Sequence, residues 1–329
     1  MKATNQLTCR IFILDFDRQN LFKATEPETV AQTSPIWKRD ITTFGPWTRT
    51  LANRLGDPPN KPNKTEKWVW QPQQTGHGPA VFICGQSSST MDAAWHFIKN
   101  RQMRTWDSVL AVEQTAGRGQ QKRQWISPAG NIHASWLWPV PEFDEETKTD
   151  WSGLLSLVVG FVFARIFKEL NVPVQIKWPN DLLVHVQKSG DDRKFGGILV
   201  ERRERHIVVG IGINLNYSPE DKLLRDAFAV PATHLLDQGF DMSPLTLWTT
   251  LVEKGQTLFK KLIQTSTPTQ FIKMIVTQMA WVGKKVLIRQ MNTDIFEAVI
   301  LGLAKDGGLR IKKGNIEDVL YSGSILPAR

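Results

Sequence analysis

The residues best suited to chemistry lie between Glu113 and Trp138, in the stretch EQTAGRGQQKRQWISPAGNIHASWLW. Gly117 and Gly119 flank Arg118, and Lys122, Arg123 and Trp125 follow. Glycine lets backbone approach a ligand closely, and cations beside such a loop suit a phosphate or carboxylate. Further along, KWPND (177–181) offers Lys177, Asn180 and Asp181. RKFGG (193–197) sets Lys194 just before Gly196 and Gly197, and VVGIGINLN (208–216) places Gly210 and Gly212 ahead of Asn214. Each segment alone also reads as ordinary structure: a basic surface hairpin, an aromatic-capped bend, a strand with glycines. Short patterns of this kind arise by chance.

The elements that must position these residues are legible from about Pro79 onward. PAVFICG is a short buried strand. Ser87–Thr90 offers helix N-caps, and Met91–Asn100 carries Ala94, Phe97 and Ile98 at helical spacing. The serines read as caps; the same N–H groups and hydroxyls can also face a polar ligand. Ser108–Glu113 is a strand leading into the glycine loop, and a second strand follows the Pro128–Gly130 turn. Trp151–Leu170 is apolar on nearly all sides, as expected of a helix buried across a sheet. Val174–Trp178 alternates as a strand does, Leu182–Val186 resumes it, and Ser189–Asp192 is a turn. A hairpin then runs through ILVE to HIVVGIGINLN, where glycines inside a strand mark close approach of another group. Met242–Ile263 and Phe271–Trp281 read as helical. The tail holds short strands at Lys285–Arg289, Phe296–Leu301, Leu309–Lys312 and Val319–Ser322, spaced as in a small β-barrel or sandwich.

Composition sets the bounds. The 329 residues are 41% hydrophobic and 22% charged, those of an ordinary globular protein long enough for two or three domains. The net charge of +9 admits nucleic acid or an acidic protein as partner. Cys9 and Cys84 form no metal-type cluster, which points to a reducing compartment. The N-terminus lacks the apolar region of a signal peptide. The longest apolar run, Leu154–Ala164, is well short of the roughly 20 residues of a membrane span. The expectation is therefore a cytoplasmic protein that does not span a membrane. Residues 1–75 show one strand at CRIFILDF, a linker at Pro58–Asn63, and no helix-turn-helix or wing. Trp37, Trp47, Trp68 and Trp70 indicate that parts of this stretch pack.

Five segments now stand in order: SSTMDAA (88–94), EQTAGRGQQKRQWISPAGN (113–131), KWPNDLL (177–183), RKFGGILVE (193–201) and VVGIGINLN (208–216). Together they resemble the catalytic domain of biotin–protein ligases, and the ending LYSGSILP resembles that family's small C-terminal β domain. The resemblance covers Val81 to the C-terminus. It implies an α+β fold, a mixed sheet packed by helices of the class II synthetase-like kind, with a small all-β barrel. The implied divisions are 1–75 as an extension, 76–280 as catalytic domain and 281–329 as β domain. The implied reaction joins biotin and ATP as biotinyl-5′-adenylate, then passes biotin to a lysine of a biotin carboxyl carrier protein of acetyl-CoA or pyruvate carboxylase type.

The resemblance also assigns residues. Arg118, Lys194 and Lys177 are catalytic candidates, because a carboxylate meeting a phosphate needs its charge offset. Ser89, Thr90, Met91, Gln114, Gly117, Arg118, Gly119, Gln120, Lys194, Gly196 and Gly197 match biotin-binding positions. Arg118, Trp125, Asn131, Asn180 and Asn214 are candidates for ATP and the adenylate, and Asp181 for magnesium. For Lys177 a solvated strand lysine, and for Asn131, Asn180, Asn214 and Asp181 a turn role, are the structural alternatives. The 115–125 loop is expected to close over the intermediate. The family's GRGRxGR here reads GRGQQKR, so Gln120 stands where an arginine is usual and Lys122 where a glycine is. Gln120 carries no charge, which puts retention of the adenylate in question unless Lys122 and Arg123 supply it. Rival readings are a lipoate–protein ligase, a bifunctional ligase and DNA-binding repressor, and a biotin-binding pseudoenzyme. DNA is the less favoured partner, and monomer and homodimer both stay open.

Overall fold

The computed structural model describes residues 8–52, 67–120, 123–141, 151–221, 228–290 and 294–328. The expected Pro58–Asn63 linker, the turn at Asn292–Thr293 and Lys122 of the glycine loop lie outside them. In chain order the first elements are β1 (Arg10–Asp15), α1 (Pro27–Thr33), α2 (Pro35–Phe44), β2 (Trp47–Leu51), β3 (Trp68–Pro72), β4 (Ala80–Ser87), α3 (Thr90–Lys99), β5 (Ser108–Gln114) and β6 (Ile132–Trp138). Then come α4 (Leu155–Glu169), β7 (Val174–Lys177), β8 (Asp181–Val186), β9 (Asp191–Arg203), β10 (His206–Ile213), α5 (Pro244–Thr265) and α6 (Pro268–Val276). The tail holds β11 (Lys285–Arg289), β12 (Phe296–Leu303), β13 (Leu309–Lys313), β14 (Ile316–Leu320) and β15 (Ser324–Pro327). Two compact units result. Unit 1 comprises Met1–Val140, Leu199–Tyr217 and Gly239–Gln256; unit 2 comprises Pro141–Ile198, Ser218–Gln238 and Thr257–Arg329.

Unit 1 is built on strands in the order β2-β3-β1-β4-β5-β6-β10. The β1/β4 and β4/β5 pairs are parallel and the others antiparallel, so the sheet is mixed. CRIFILDF is β1, as its apolar alternation predicts. The two helices beside it were not foreseen: α1 and α2 each start at a proline, which suits the first helical turn, and Ser34 accepts the Trp37 N–H at 3.3 Å. Both are short, so their periodicity is weak. Trp37 is fully buried. Helix α3 lays Met91, Ala94 and Phe97 against Phe82, Ala111 and Leu137. Trp106, Trp136, Trp138 and Trp248 form a second aromatic cluster, tied down by Trp248 Nε1 donating to Ser108 Oγ at 2.9 Å. Buried Asp40 of α2 accepts the N–H groups of Leu245 (2.7 Å) and Thr246 (3.1 Å). A carboxylate there complements the positive end of the α5 dipole.

Unit 2 contains the antiparallel β7–β8 hairpin with β9 beside it, and α4 packed on them. A Cβ at Gly160 of α4 would lie 3.4 Å from Ile176 and 3.6 Å from Ile198, so the helix approaches the strands closely. The α6 helix starts at a capping box of Thr267 and Gln270 and ends at Val276, short of the expected Trp281. The tail is an antiparallel five-stranded sheet in the order β14-β13-β12-β11-β15. It corrects two details. Among the described residues no pairing joins β14 to β15, so a barrel is not what the ladder shows. The strand expected at Val319–Ser322 is instead β14, ending at Leu320, and a separate β15. Gly323 lies between them at φ +151°, a conformation open mainly to glycine. No helix among the described residues is long and apolar enough to cross a membrane.

Candidate functional site

In unit 1 the polar groups at the foot of the glycine loop form one chain of hydrogen bonds. Ser89 holds the N-cap position of α3 without a side-chain cap bond. The Thr90 N–H and Oγ1 both donate to Gln114 Oε1, at 2.8 and 3.2 Å. That backbone donor orients the amide, so Gln114 Nε2 faces Ser127 Oγ, at 2.9 Å. Ser127 Oγ passes its own hydrogen to Trp125 O at 3.2 Å, and Ser135 Oγ donates to Thr90 Oγ1 at 2.8 Å. Of the residues the resemblance assigns to biotin, Thr90 and Gln114 are thus joined, with Ser127 and Ser135 added. Gly117 has no room for a side chain: a Cβ would strike Trp125 O, and Ser127 Oγ at 2.6 Å. Gly119 N–H donates to Arg123 O at 2.7 Å and Arg123 N–H to Gln120 O at 3.1 Å, so Arg123 lies back against Gly119 and Gln120.

Arg118 points its guanidinium at two carboxylates, Asp92 Oδ1 at 3.0 Å and Glu201 Oε1 at 3.4 Å. Glu201 also accepts from Trp95 Nε1 (2.9 Å) and Arg203 Nη2 (3.1 Å). It is the last residue of RKFGGILVE, quoted for its spacing but not singled out. An anionic ligand at Arg118 would have to compete with these carboxylates. The strand glycines do mark close approach: a Cβ at Gly210 would lie 2.9 Å from Met91 Sδ, and one at Gly212 would strike the Trp125 ring. Trp125 is thus held against β10.

Asn131 serves structure. Its Oδ1 accepts the N–H groups of Leu215, Asn216 and Tyr217 at 3.0, 3.0 and 3.1 Å, and its Nδ2 donates to Tyr217 O at 2.9 Å. With the side chain so engaged, its expected role toward ATP gives way to the turn-forming alternative. Asn214 is buried close by in the chain. Sequence reasoning also passed over His133, which is buried beneath the Pro128 turn with Nε2 2.9 Å from Pro128 O. Burial pushes this imidazole down to about 4, so it is neutral near pH 7.

In unit 2 the chemistry is charged. Lys177 Nζ donates to Asp181 Oδ2 at 2.8 Å, and Lys194 Nζ lies 2.6 Å from Asp181 Oδ1. The strand register brings them together. Lys177 faces Asp181 across the β7–β8 hairpin, and a bulge between Leu182 and Leu183 offsets Lys194 against β8. Lys194 is fixed further by its N–H to Pro231 O at 2.8 Å and its carbonyl to Thr233 N–H at 3.0 Å. Burial raises the Asp181 carboxyl, but the two lysines more than offset that and hold it well below the usual carboxylate range. Two part-buried ammonium groups thus meet on one buried carboxylate. Asn180 donates to Ile198 O at 2.6 Å and is spent on the backbone. Gly196 and Gly197 pair with Leu182 and Asp181 on β8.

The donor set does not fit magnesium at Asp181. Each carboxylate oxygen already holds an ammonium within 2.8 Å, and a dication there would face both lysines. No cluster of three or more His, Cys, Asp or Glu side chains suited to a metal occurs among the described residues.

The architecture is that of a biotin protein ligase fold. The Aquifex aeolicus biotin protein ligase, solved in complex with biotin and ATP, superposes over 76% of this chain and 98% of its own with a TM-score of 0.60, at 24% identity. Residues 83–217 match the model of the biotin/lipoate A/B protein ligase family. The bifunctional ligase/repressor BirA of Salmonella typhimurium is 34% identical over 169 residues, 49% of this chain and 43% of that protein. The biotin--[acetyl-CoA-carboxylase] ligase of Mycobacterium tuberculosis is 33% identical over 135 residues, covering 40% and 45% respectively. The chain thus spans less than half of the length of these last two relatives.

Proposed function

We propose that this chain is a biotin–protein ligase. Its biotin carboxylate oxygen attacks the α-phosphorus of ATP, pyrophosphate leaves, and a carrier-protein lysine amine then attacks the acyl carbon with AMP leaving. The observation that carries the reading is the meeting of Lys177 and Lys194 on one buried carboxylate, Asp181, on the KWPND and RKFGG motifs. Ammonium groups so placed suit the attack of one anion on another. Lys194 and Lys177 offset that charge, Arg118 takes the adenylate, and Ser89, Thr90, Met91 and Gln114 take biotin, with Gly117, Gly119, Gln120, Gly196 and Gly197 lending close backbone. Trp125 and Asn214 contact the nucleotide. Asn180 and Asn131 act as positioning residues. No step is assigned to magnesium at Asp181. In this reading residues 76–280 are catalytic, 281–329 accessory and 1–75 an extension.

The partner is a biotin carboxyl carrier protein; a salt-sensitive mobility shift with operator DNA would add a second partner. The setting is the cytoplasm, in keeping with two free, buried cysteines whose thiols burial pushes up to about 12. The test is transfer. The chain, ATP and biotin are incubated with a purified carrier domain, and streptavidin should then detect the domain in wild-type carrier but not in its Lys→Arg variant. Unlabelled wild-type carrier would sink the proposal.

A further inference from the structure

The stretch that leaves β1 carries none of the five motifs, yet it is bonded to the turn from which the first of them starts. Asp17 Oδ1 accepts the Ala24 N–H at 2.6 Å, the Arg18 N–H donates to Phe22 O at 2.9 Å, and Asn20 is left-handed at φ 61°. These bonds close residues 17–24 on themselves. Phe22 is buried, with Phe16 and with Phe97 of α3 as ring neighbours at 5.7 and 5.6 Å. The segment lies along the end of β4. The Lys23 N–H donates to Gln86 O at 2.9 Å, and a Cβ at Gly85 would lie 3.1 Å from Thr25 Cβ.

There the Leu21 carbonyl meets the serines. It accepts the Ser88 N–H and Ser87 Oγ, both at 2.8 Å, and Ser88 Oγ at 3.3 Å. These hydroxyls, which the sequence offers as helix caps, are spent on Leu21 instead, and Ser89 holds the N-cap position. Ser87 is buried, so its hydroxyl needs an acceptor inside the protein. The carbonyls of the same two serines accept the Thr115 and Ala116 N–H groups, each at 2.9 Å, and so hold the stem of the glycine loop. Ser89, Thr90 and Met91 follow Ser88 directly, and Gln114, the partner of Thr90, directly precedes Thr115. Ser87 and Ser88 are thus bonded on one side to the N-terminal segment and on the other to the loop stem.

We propose that residues 17–25 form a clamp that positions the acid-binding residues of unit 1, with Asp17 a positioning residue that acts through the Leu21 carbonyl on Ser87 and Ser88. The proposal rests on the function given above and goes beyond it, since it makes part of the N-terminal extension a working piece of the catalytic unit. Hydrogen bonds weaken steeply as their geometry degrades. The Thr90–Gln114 pair keeps its direction only while the two chain segments that carry it are held together, and Ser87 and Ser88 hold them. The clamp therefore acts on affinity for biotin, whereas the attack at phosphorus depends on the lysines of unit 2.

The test compares the full chain as wild type, Asp17→Ala and Asp17→Asn. Asp17 is exposed, so its loss leaves the core packed, and asparagine keeps an oxygen for the Ala24 N–H. In ATP–pyrophosphate exchange Asp17→Ala should raise the KM for biotin about five- to tenfold with kcat within about twofold, and Asp17→Asn should restore it. Amide hydrogen exchange of the free protein supplies a reading that needs no ligand. In Asp17→Ala it should quicken about tenfold at Ser88, Thr115 and Ala116 and stay unchanged at Val109–Val112 of β5. An unchanged KM in Asp17→Ala, or hydrogen exchange that quickens equally along β5, overturns the clamp while leaving biotin activation standing. Pyrophosphate exchange with biotin absent from wild type overturns the function instead, and the hold on Thr115 and Ala116 then stands or falls by hydrogen exchange alone.

Discussion

In unit 1 the polar groups beneath the glycine loop are neutral: an amide, three hydroxyls and an uncharged imidazole, each hydrogen directed by the next. In unit 2 the corresponding groups are two ammoniums and one carboxylate. The first kind of site discriminates by the direction of donors and acceptors, since a misplaced hydrogen leaves a buried group unpaired. The second discriminates by charge, which acts strongly where water is scarce and is indifferent to fine orientation. A reaction that must select one small acid and then join it to a phosphate calls for both. Selection and activation are accordingly separable by mutation.

The largest effect should come from unit 2. Lys194→Ala should reduce biotin-dependent ATP–pyrophosphate exchange by about 10²–10³, with biotin affinity in calorimetry changed far less. Equal losses in both would erase the division of labour. Asp181→Asn leaves two lysines facing each other, 11% and 27% exposed, and should cost about 3–5 kcal/mol in urea unfolding. An unchanged midpoint would mean that the lysines relax into water.

Acid separates the two regions by pH window. His133 is held at about 4 in the fold against 6.5 when free, so the unfolded chain binds more protons between those values. Stability from this group is full above 6.5 and falls as pH drops toward 4, by about 3 kcal/mol in all. Asp181 is depressed, so its contribution is present above 3.8 and is lost only as pH falls below that. Unfolding midpoints between pH 7 and pH 3 should show the first limb flattened in His133→Phe and the second in Asp181→Asn.

Smaller effects sharpen the neutral side. Thr90→Val cuts the hydroxyl chain while keeping the N–H bond to Gln114. It should raise the KM for biotin about tenfold with kcat nearly unchanged; a fall in kcat alone would place Thr90 in the chemistry. Glu201→Gln weakens the exposed pairing with Arg118 and should alter stability by less than about 1 kcal/mol.

Much of this was legible because the informative residues are repeated in kind. Strands β4 to β10 announce themselves by apolar runs broken at glycines and turns, and Gly210 and Gly212 correctly signalled close neighbours. Thr90 and Gln114 were named through the family resemblance, and the hydrogen bond between them came only with the structure. What stayed hidden depends on contacts far apart in sequence. Glu201 meets Arg118 across 83 positions of chain only because β9 and the loop fold together, and nothing local to ILVE says so. Asn131 looked equally suited to ATP or to a turn until its oxygen was seen to hold three backbone N–H groups. Asp181 looked like a magnesium ligand because composition does not show which cations its oxygens already hold. Helices α1 and α2 were missed because seven and ten residues give too few turns for a periodic face.

The central claim is that neutral, directional groups in unit 1 select biotin and that the cationic cluster of unit 2 serves its activation. It is tested most directly by ATP–pyrophosphate exchange with purified full-length chain, measured with biotin and with lipoate in parallel. The account predicts exchange with biotin, none above background with lipoate, and loss of the biotin signal in Lys194→Ala. Exchange driven by lipoate, or by neither acid, would contradict it.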